Sequence, residues 1–322
     1  MQDNSFTFNS KISLIYSLIL LALLVFIFDY GFGGFLRYLY FHQKGGEAYE
    51  TTYSISDMSQ DIVVLGSSRA SRHYVPDVIT KYTNMSCYNA GRDAMALNYV
   101  EAILRAITSR YKPKLLLLDL TPYMININAD EDRLLGALLP YYEDHAEIRP
   151  IFSKRGKLER VKMLSQIYPF NSTILVSIKH NLVNSHSQSG FVPLFKTITD
   201  REIEIVESAS NVNRKPVADV PFHQGNIEAL YRIIRIAKDH GIPLVIIVSP
   251  FFSVESDRIV YIRKYASIAR EQGVLFLDFS ADPDFLKVRR LFADKDHLNR
   301  EGAESFSRKL VNVLAEKNIG VF

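Results

Sequence analysis

Five short apolar runs, Ile62–Leu65, Ser86–Asn89, Leu115–Leu118, Leu244–Val248 and Val274–Leu277, are bounded by turn residues. Runs of this length read as strands buried on both faces, the signature of a parallel sheet. Between them apolar residues recur at helical spacing. Leu97–Ser109 shows it, and so does Ile227–Asp239, which opens after Gly225-Asn226 and stops at Gly241 with Pro243 beyond. A last helix starts at Asn299, a good N-cap, and runs to about Lys317. This alternation predicts a doubly wound α/β domain with five parallel strands over residues 60–322. The rhythm fails between Met124 and Val220, a stretch with Asp130-Glu131-Asp132, Tyr141-Tyr142 and a polar run from Asn181 to Gly190. That stretch, about 124–220, reads as a mostly helical insertion after the third strand, either a cap over the site or a surface excursion.

The N-terminus follows another pattern. Ile12–Phe28 carries no charge and is bounded by Lys11 and Asp29. A bilayer-spanning helix needs about 20 apolar residues, and Tyr30 and Phe32 extend the run into an interface. No small-residue cleavage site follows, so the segment reads as an uncleaved anchor. The expected division is a short tail (1–11), a transmembrane anchor (12–32), a membrane-proximal linker (33–59) holding a short interfacial helix at Phe35–Phe41, and the α/β domain. Lys11 before the anchor and Arg37 and Lys44 after it do not decide orientation by charge. The mass of chain behind the anchor favours a single-pass protein with its domain outside the cytoplasm, periplasmic or on the outer face.

Composition narrows the options. The chain has 322 residues, 48% of them hydrophobic, with Lys+Arg 38 against Asp+Glu 35, a balance that leaves no nucleic-acid footprint. Cys87 is the only cysteine, which rules out an intrachain disulfide and a cysteine zinc site. It falls in a strand and reads as a small buried hydrophobe. His145, His180, His186, His223 and His240 lack metal-ligand spacing, and no phosphate-binding or dinucleotide-binding glycine motif occurs. No metal and no cofactor is expected. The oligomeric state is not legible.

Candidate chemistry lies at the two ends of the α/β domain. Gly66-Ser67-Ser68 follows the first strand, so a serine stands at the carboxyl rim where parallel sheets bind ligands. Alone, the segment reads more readily as a helix cap. Asp294-Lys295-Asp296-His297 precedes the last helix. A serine becomes nucleophilic when a base takes its proton, and the base needs a carboxylate to orient it. Asp294, three residues before His297 in a tight turn, suits that task better than the adjacent Asp296.

Taken together, these segments resemble the SGNH, or GDSL-type, hydrolase superfamily. Its first block, G-D-S, corresponds to Gly66-Ser67-Ser68 with Ser68 at the nucleophile position. Its fifth, D-x-x-H, corresponds to Asp294 through His297, and a second-block glycine to Gly91 in Asn89-Ala90-Gly91. The resemblance covers roughly residues 60–322 outside the insertion and implies a flavodoxin-like sheet. It further implies catalysis by Ser68, His297 and Asp294, with an oxyanion held by the N–H groups of Ser68 and Gly91. Two departures stand out. Ser67 replaces the usual Asp, as in membrane-anchored members that act on cell-envelope polymers. The third block's G-x-N-D is absent, since Asp119-Leu120-Thr121-Pro122 follows the third strand. Thr121, Asn89 and Asn98 are the alternative donors, and sequence does not choose among them. Arg69, Arg72 and Arg92 are candidate contacts for an anionic substrate, and a helix-surface position is the expectation for His73. The implied activity is ester hydrolysis, with O-acetyl groups of envelope polysaccharide as a fitting substrate. An O-acyltransferase and a non-catalytic envelope binding or assembly protein are the alternatives.

Overall fold

A computed structural model describes residues 4–126, 134–183, 187, 189–211, 222–253 and 256–319. Five strands form one sheet: β1 (Ile62–Leu65), β2 (Cys87–Asn89), β3 (Leu115–Asp119), β4 (Leu244–Val248) and β5 (Leu275–Asp278). They lie in the order β2-β1-β3-β4-β5, every pair parallel. The expected five-stranded parallel α/β sheet is therefore the fold of this chain.

The apolar runs are continuous because each face of the sheet meets its own layer of helices. Val63, Leu65, Leu116, Leu118, Ile246 and Val248 join one core cluster with helix Gln224–Asp239 and α5 (Leu97–Thr108). Ile62, Val64, Leu115, Leu117, Val245 and Ile247 join the other, with α4 (Pro76–Thr83) and the C-terminal helix Arg300–Glu316. Asn299 caps that last helix as expected, its side chain accepting from the Gly302 N–H at 3.0 Å. Cys87 is buried.

The N-terminal segment departs from expectation. One helix, α1, runs unbroken from Asn4 to Phe41, so no linker begins at residue 33 and no separate helix forms at Phe35–Phe41. Gly33 within this helix is a packing position: a Cβ there would lie 2.4 Å from the Gln166 Cβ. Lys11–Phe41 is long and apolar enough to cross a membrane, with mean hydropathy 2.6 in its most apolar window. Its first half is exposed, whereas Leu36 and Tyr40 are buried against the domain. Asp29 accepts from the Ser165 hydroxyl at 2.6 Å and the Gln166 N–H at 2.7 Å, and Asn181 donates to the Leu39 carbonyl at 2.7 Å. After α1, residues 46–57 form α2 (Gly46–Thr52) and a π-helical turn, Tyr53–Asp57. Thr51 and Ile55 are buried, so this stretch also belongs to the packed body.

The described part of the insertion is helical. Short 3₁₀ turns lead to helices Ile174–Leu182 and Asp200–Asn211. Much of it packs on α1 and α5 through Tyr141, Ile148, Phe152 and Phe170. Asp130-Glu131-Asp132 and His186 lie outside the described residues.

Leu117 sits at the centre of β3, fully buried between two strands. Leu117→Ala is expected to cost about 2–5 kcal/mol, read as a lowered denaturation midpoint of the detergent-solubilised full chain.

Candidate active site

The nucleophile position is set by backbone geometry. β1 ends at Leu65, and Gly66 has φ 148°, a region that favours glycine. A Cβ there would lie 2.6 Å from the Asp119 carbonyl oxygen. The chain turns at this point, and α3 (Ser68–His73) begins. The Ser67 side chain makes no capping bond, so helix capping does not account for this serine pair. Ser68 Oγ instead lies 2.9 Å from His297 Nε2.

The histidine is held by its own loop. Asp294 Oδ1 accepts from the N–H groups of Asp296 and His297, each at 2.9 Å, which folds the turn around the carboxylate. Both Asp294 oxygens lie 3.0 Å from His297 Nδ1. A nitrogen facing a carboxylate carries the proton, so Nε2 accepts from the Ser68 hydroxyl. Burial alone would raise the Asp294 pKa, but the bonds from His297 and the backbone outweigh it and bring it to about 2. The structure thus unites Ser68, His297 and Asp294 from opposite ends of the domain.

Beneath them lies a polar layer that sequence reading misplaces. Arg69 is 2% exposed. Its guanidinium donates to the Asp296 carbonyl at 3.0 Å, the Pro250 carbonyl at 3.1 Å, and both oxygens of Ser249. It lies 3.5 Å over the Phe251 ring centroid, and its Nε is 3.9 Å from Asp119 Oδ1. His73 is fully buried, not a surface residue. Its Nε2 accepts from the Leu298 N–H at 3.0 Å, so Nδ1 carries the proton and donates to Ser249 Oγ at 2.9 Å. Burial, and then the charge of Arg69, hold the His73 pKa well below its usual value. Arg69 and His73, one helical turn apart, therefore grip the residues on either side of His297. Asp296, set aside on sequence, pairs with the buried Arg258 at 2.8 Å.

The expected oxyanion donors are only partly available. The Gly91 N–H donates to Asn89 Oδ1 at 3.0 Å. The Asn89 amide donates to the Ala70 and Tyr74 carbonyls at 2.7 and 2.9 Å, so it buttresses α3 and does not face the serine. Asn98 accepts from Lys154 at 2.8 Å. The Thr121 carbonyl accepts from the Tyr265 hydroxyl at 2.9 Å, and no hydrogen bond connects Thr121 to Ser68. Among the described residues the Ser68 N–H has no acceptor, which leaves it the free donor of the set. Gly91 is nevertheless indispensable here, because a Cβ would lie 2.5 Å from the Ser71 nitrogen.

A cavity of about 430 Å³ adjoins this face, lined in part by Glu50, Ser71, Arg72, Gly91, Arg92 and Tyr99. Its wall stops short of Ser68 and His297. Arg72 pairs with Asp93, and Arg92 bonds Thr51 at 2.6 Å and Glu47 at 3.2 Å. Both arginines reach the cavity as members of ion pairs.

The buried partners Tyr74, Asp119 and Ser249 escaped sequence reading. Asp119 accepts from the Tyr74 hydroxyl at 2.6 Å, and burial raises its pKa. The available signal was an acid closing an otherwise apolar strand.

No family model and no curated relative matches the chain. Solved structures with partial likeness include a lipolytic-type protein of the G-D-S-L family from Desulfitobacterium hafniense, 12% identical with TM-score 0.42, the match covering 79% of this chain and 98% of that one. Others are an SGNH-hydrolase-type protein from Slackia heliotrinireducens (10%, 0.41, covering 79% and 97%) and an acylhydrolase-type protein from Bacteroides fragilis (9%, 0.39, covering 81% and 94%). At such identities and scores the likeness carries no functional argument, and the reading of the site rests on its own geometry.

Arg69→Ala would remove the cation from a buried pair. It is expected to destabilise the fold by about 3–5 kcal/mol, measured by chemical denaturation. A substrate contact would instead raise KM at unchanged stability.

Proposed function

We propose that the protein is a membrane-anchored serine esterase whose nucleophile is Ser68, with His297 as general base and Asp294 as its orienting carboxylate. The observation that carries this reading is the unbroken bond series Ser68 Oγ to His297 Nε2 at 2.9 Å and His297 Nδ1 to both Asp294 oxygens at 3.0 Å. His297 takes the hydroxyl proton as Ser68 Oγ bonds to the ester carbonyl carbon. The oxygen of that carbonyl becomes an anion beside the Ser68 N–H. The tetrahedral intermediate collapses, and His297 gives the proton to the departing alkoxide. Water then repeats the sequence on the acyl-serine, releasing acid and restoring the enzyme. A sugar hydroxyl in place of water would make the same site an O-acyltransferase.

The long apolar first half of α1 supports anchoring, and we place the domain outside the cytoplasm as part of the same proposal. A cavity bearing paired charges and Tyr99, whose wall stops short of Ser68, suits a hydroxyl-rich substrate, and O-acetylated envelope polysaccharide is the proposed class. A second reading, a non-catalytic binding or assembly protein, draws on the Gly91 N–H being held by Asn89. Loss of one oxyanion donor costs about 10²–10³ in rate.

A fluorophosphonate probe is expected to label the folded protein and to lose all labelling in Ser68→Ala. Intact, folded protein that takes no label favours the non-catalytic reading. Acetate release from O-acetylated polysaccharide tests the substrate class separately.

Asp294→Asn is expected to lower kcat/KM by about 10⁴, because the amide no longer holds the right histidine tautomer. Asp294 stays ionised down to about pH 2, so its own protonation should add no second proton to the acid limb of the kcat/KM profile above pH 3. The depressed carboxylate also contributes stability that is present above its ordinary value of 3.8 and lost as pH falls towards 2. A slope of two above pH 3 would contradict this assignment.

A further inference from the structure

The span of α1 that stands clear of the domain ends at Asp29, whose carboxylate accepts from Ser165 and Gln166. These bonds fix Ser165 and Gln166, directly after residues 158–164, against α1. The segment is one helical turn and its continuation: the Lys162 N–H bonds the Leu158 carbonyl, the Met163 N–H that of Glu159, and the Leu164 N–H that of Val161. Its inner face is Glu159 and Met163, 3% and 7% exposed. Its outer face is Leu158, Val161 and Leu164, at 67%, 60% and 78%.

At about 100° per residue, Leu158, Val161 and Leu164 share one arc opposite the buried pair. Arg160 and Lys162, both exposed, stand on its two shoulders. Three large apolar side chains so exposed on one turn, edged by cations, match the pattern of a segment lying in a bilayer interface. There the apolar residues enter the acyl boundary and the cations meet anionic headgroups. The aromatic residues Tyr30, Phe32 and Phe35 on α1 stand exposed just past Asp29, where interfacial aromatics are favoured.

We infer that Leu158, Val161 and Leu164 form a second membrane contact, inserted into the headgroup region beside α1 and held there by the Asp29 bonds. This rests on the reading of α1 as a membrane anchor. The occupant is the lipid interface because Leu164 adjoins Ser165, which bonds Asp29 at the end of the exposed apolar span, and because Arg160 and Lys162 edge the patch.

The chain contains no tryptophan, so single substitutions report cleanly. Leu21→Trp, Leu164→Trp and Tyr82→Trp in the full chain would be reconstituted into phosphatidylcholine–phosphatidylglycerol vesicles with brominated acyl chains. Tyr82 is exposed on α4, away from α1. Expected is strong quenching of Leu21→Trp, loss of about half the emission of Leu164→Trp, and little change for Tyr82→Trp. If Leu21→Trp is quenched while Leu164→Trp is quenched no more than Tyr82→Trp, the second contact is overturned and the anchor stands. If Leu21→Trp escapes quenching, the anchor reading falls and this inference with it. A Leu164→Trp shielded from aqueous iodide yet untouched by bromine would place protein on the patch, which also overturns it.

Discussion

The grip of α3 on the loop around His297 is the constraint on which the site depends. Ser68 opens that helix, and Arg69 and His73 follow on it. Arg69 holds the carbonyl before His297, and His73 holds the N–H after it. Ser68 and the two groups that locate His297 therefore share one short helix. Any shift of α3 would carry all three together, and with them the 2.9 Å contact between Ser68 and His297. Such grip requires a buried cation and a buried neutral imidazole, both costly without partners. Ser249, Asp119 and the ring of Phe251 supply those partners from the carboxyl ends of β3 and β4 and the loop after β4. The sheet thus does more than present a rim: it solvates the layer beneath the reacting groups.

How much of this is legible in sequence depends on how local the physics is. The five strands announce themselves because burial on both faces leaves continuous apolar runs. Asp294 and His297 can be paired on paper because a three-residue spacing in a tight turn nearly sets their geometry. Ser68 follows from its place one turn past β1. Arg69 defeats the same reasoning. An arginine after a serine reads as exposed, and its burial becomes sensible only with Asp119, Ser249 and Asp296, which are distant in the chain. His73 fails for the same reason. The glycines at 31, 33 and 34 look like breaks by propensity, yet close packing against Gln166 overrides it at Gly33. The Asn89–Gly91 bond is local but invisible, since nothing in a triplet of residues says which way an amide turns.

The oxyanion side of the site reflects competition for Asn89. Its amide hydrogens hold the last carbonyls of α3, and its oxygen takes the Gly91 N–H. One residue supports α3 while occupying the Gly91 N–H. The support given to Ser68 and the readiness of Gly91 are therefore opposed demands on a single side chain.

The unbroken course of α1 has a mechanical consequence. A flexible tether lets a domain swivel and search a hemisphere around its attachment. A helix that enters the domain without a joint, pinned by Asp29 near one end and Asn181 near the other, transmits torque instead. Were its first half embedded, as the proposed anchoring requires, the domain would keep one compass bearing and one height over the bilayer. Its site would then sample a narrow ring of space, and whatever it acts on would have to be delivered to that altitude.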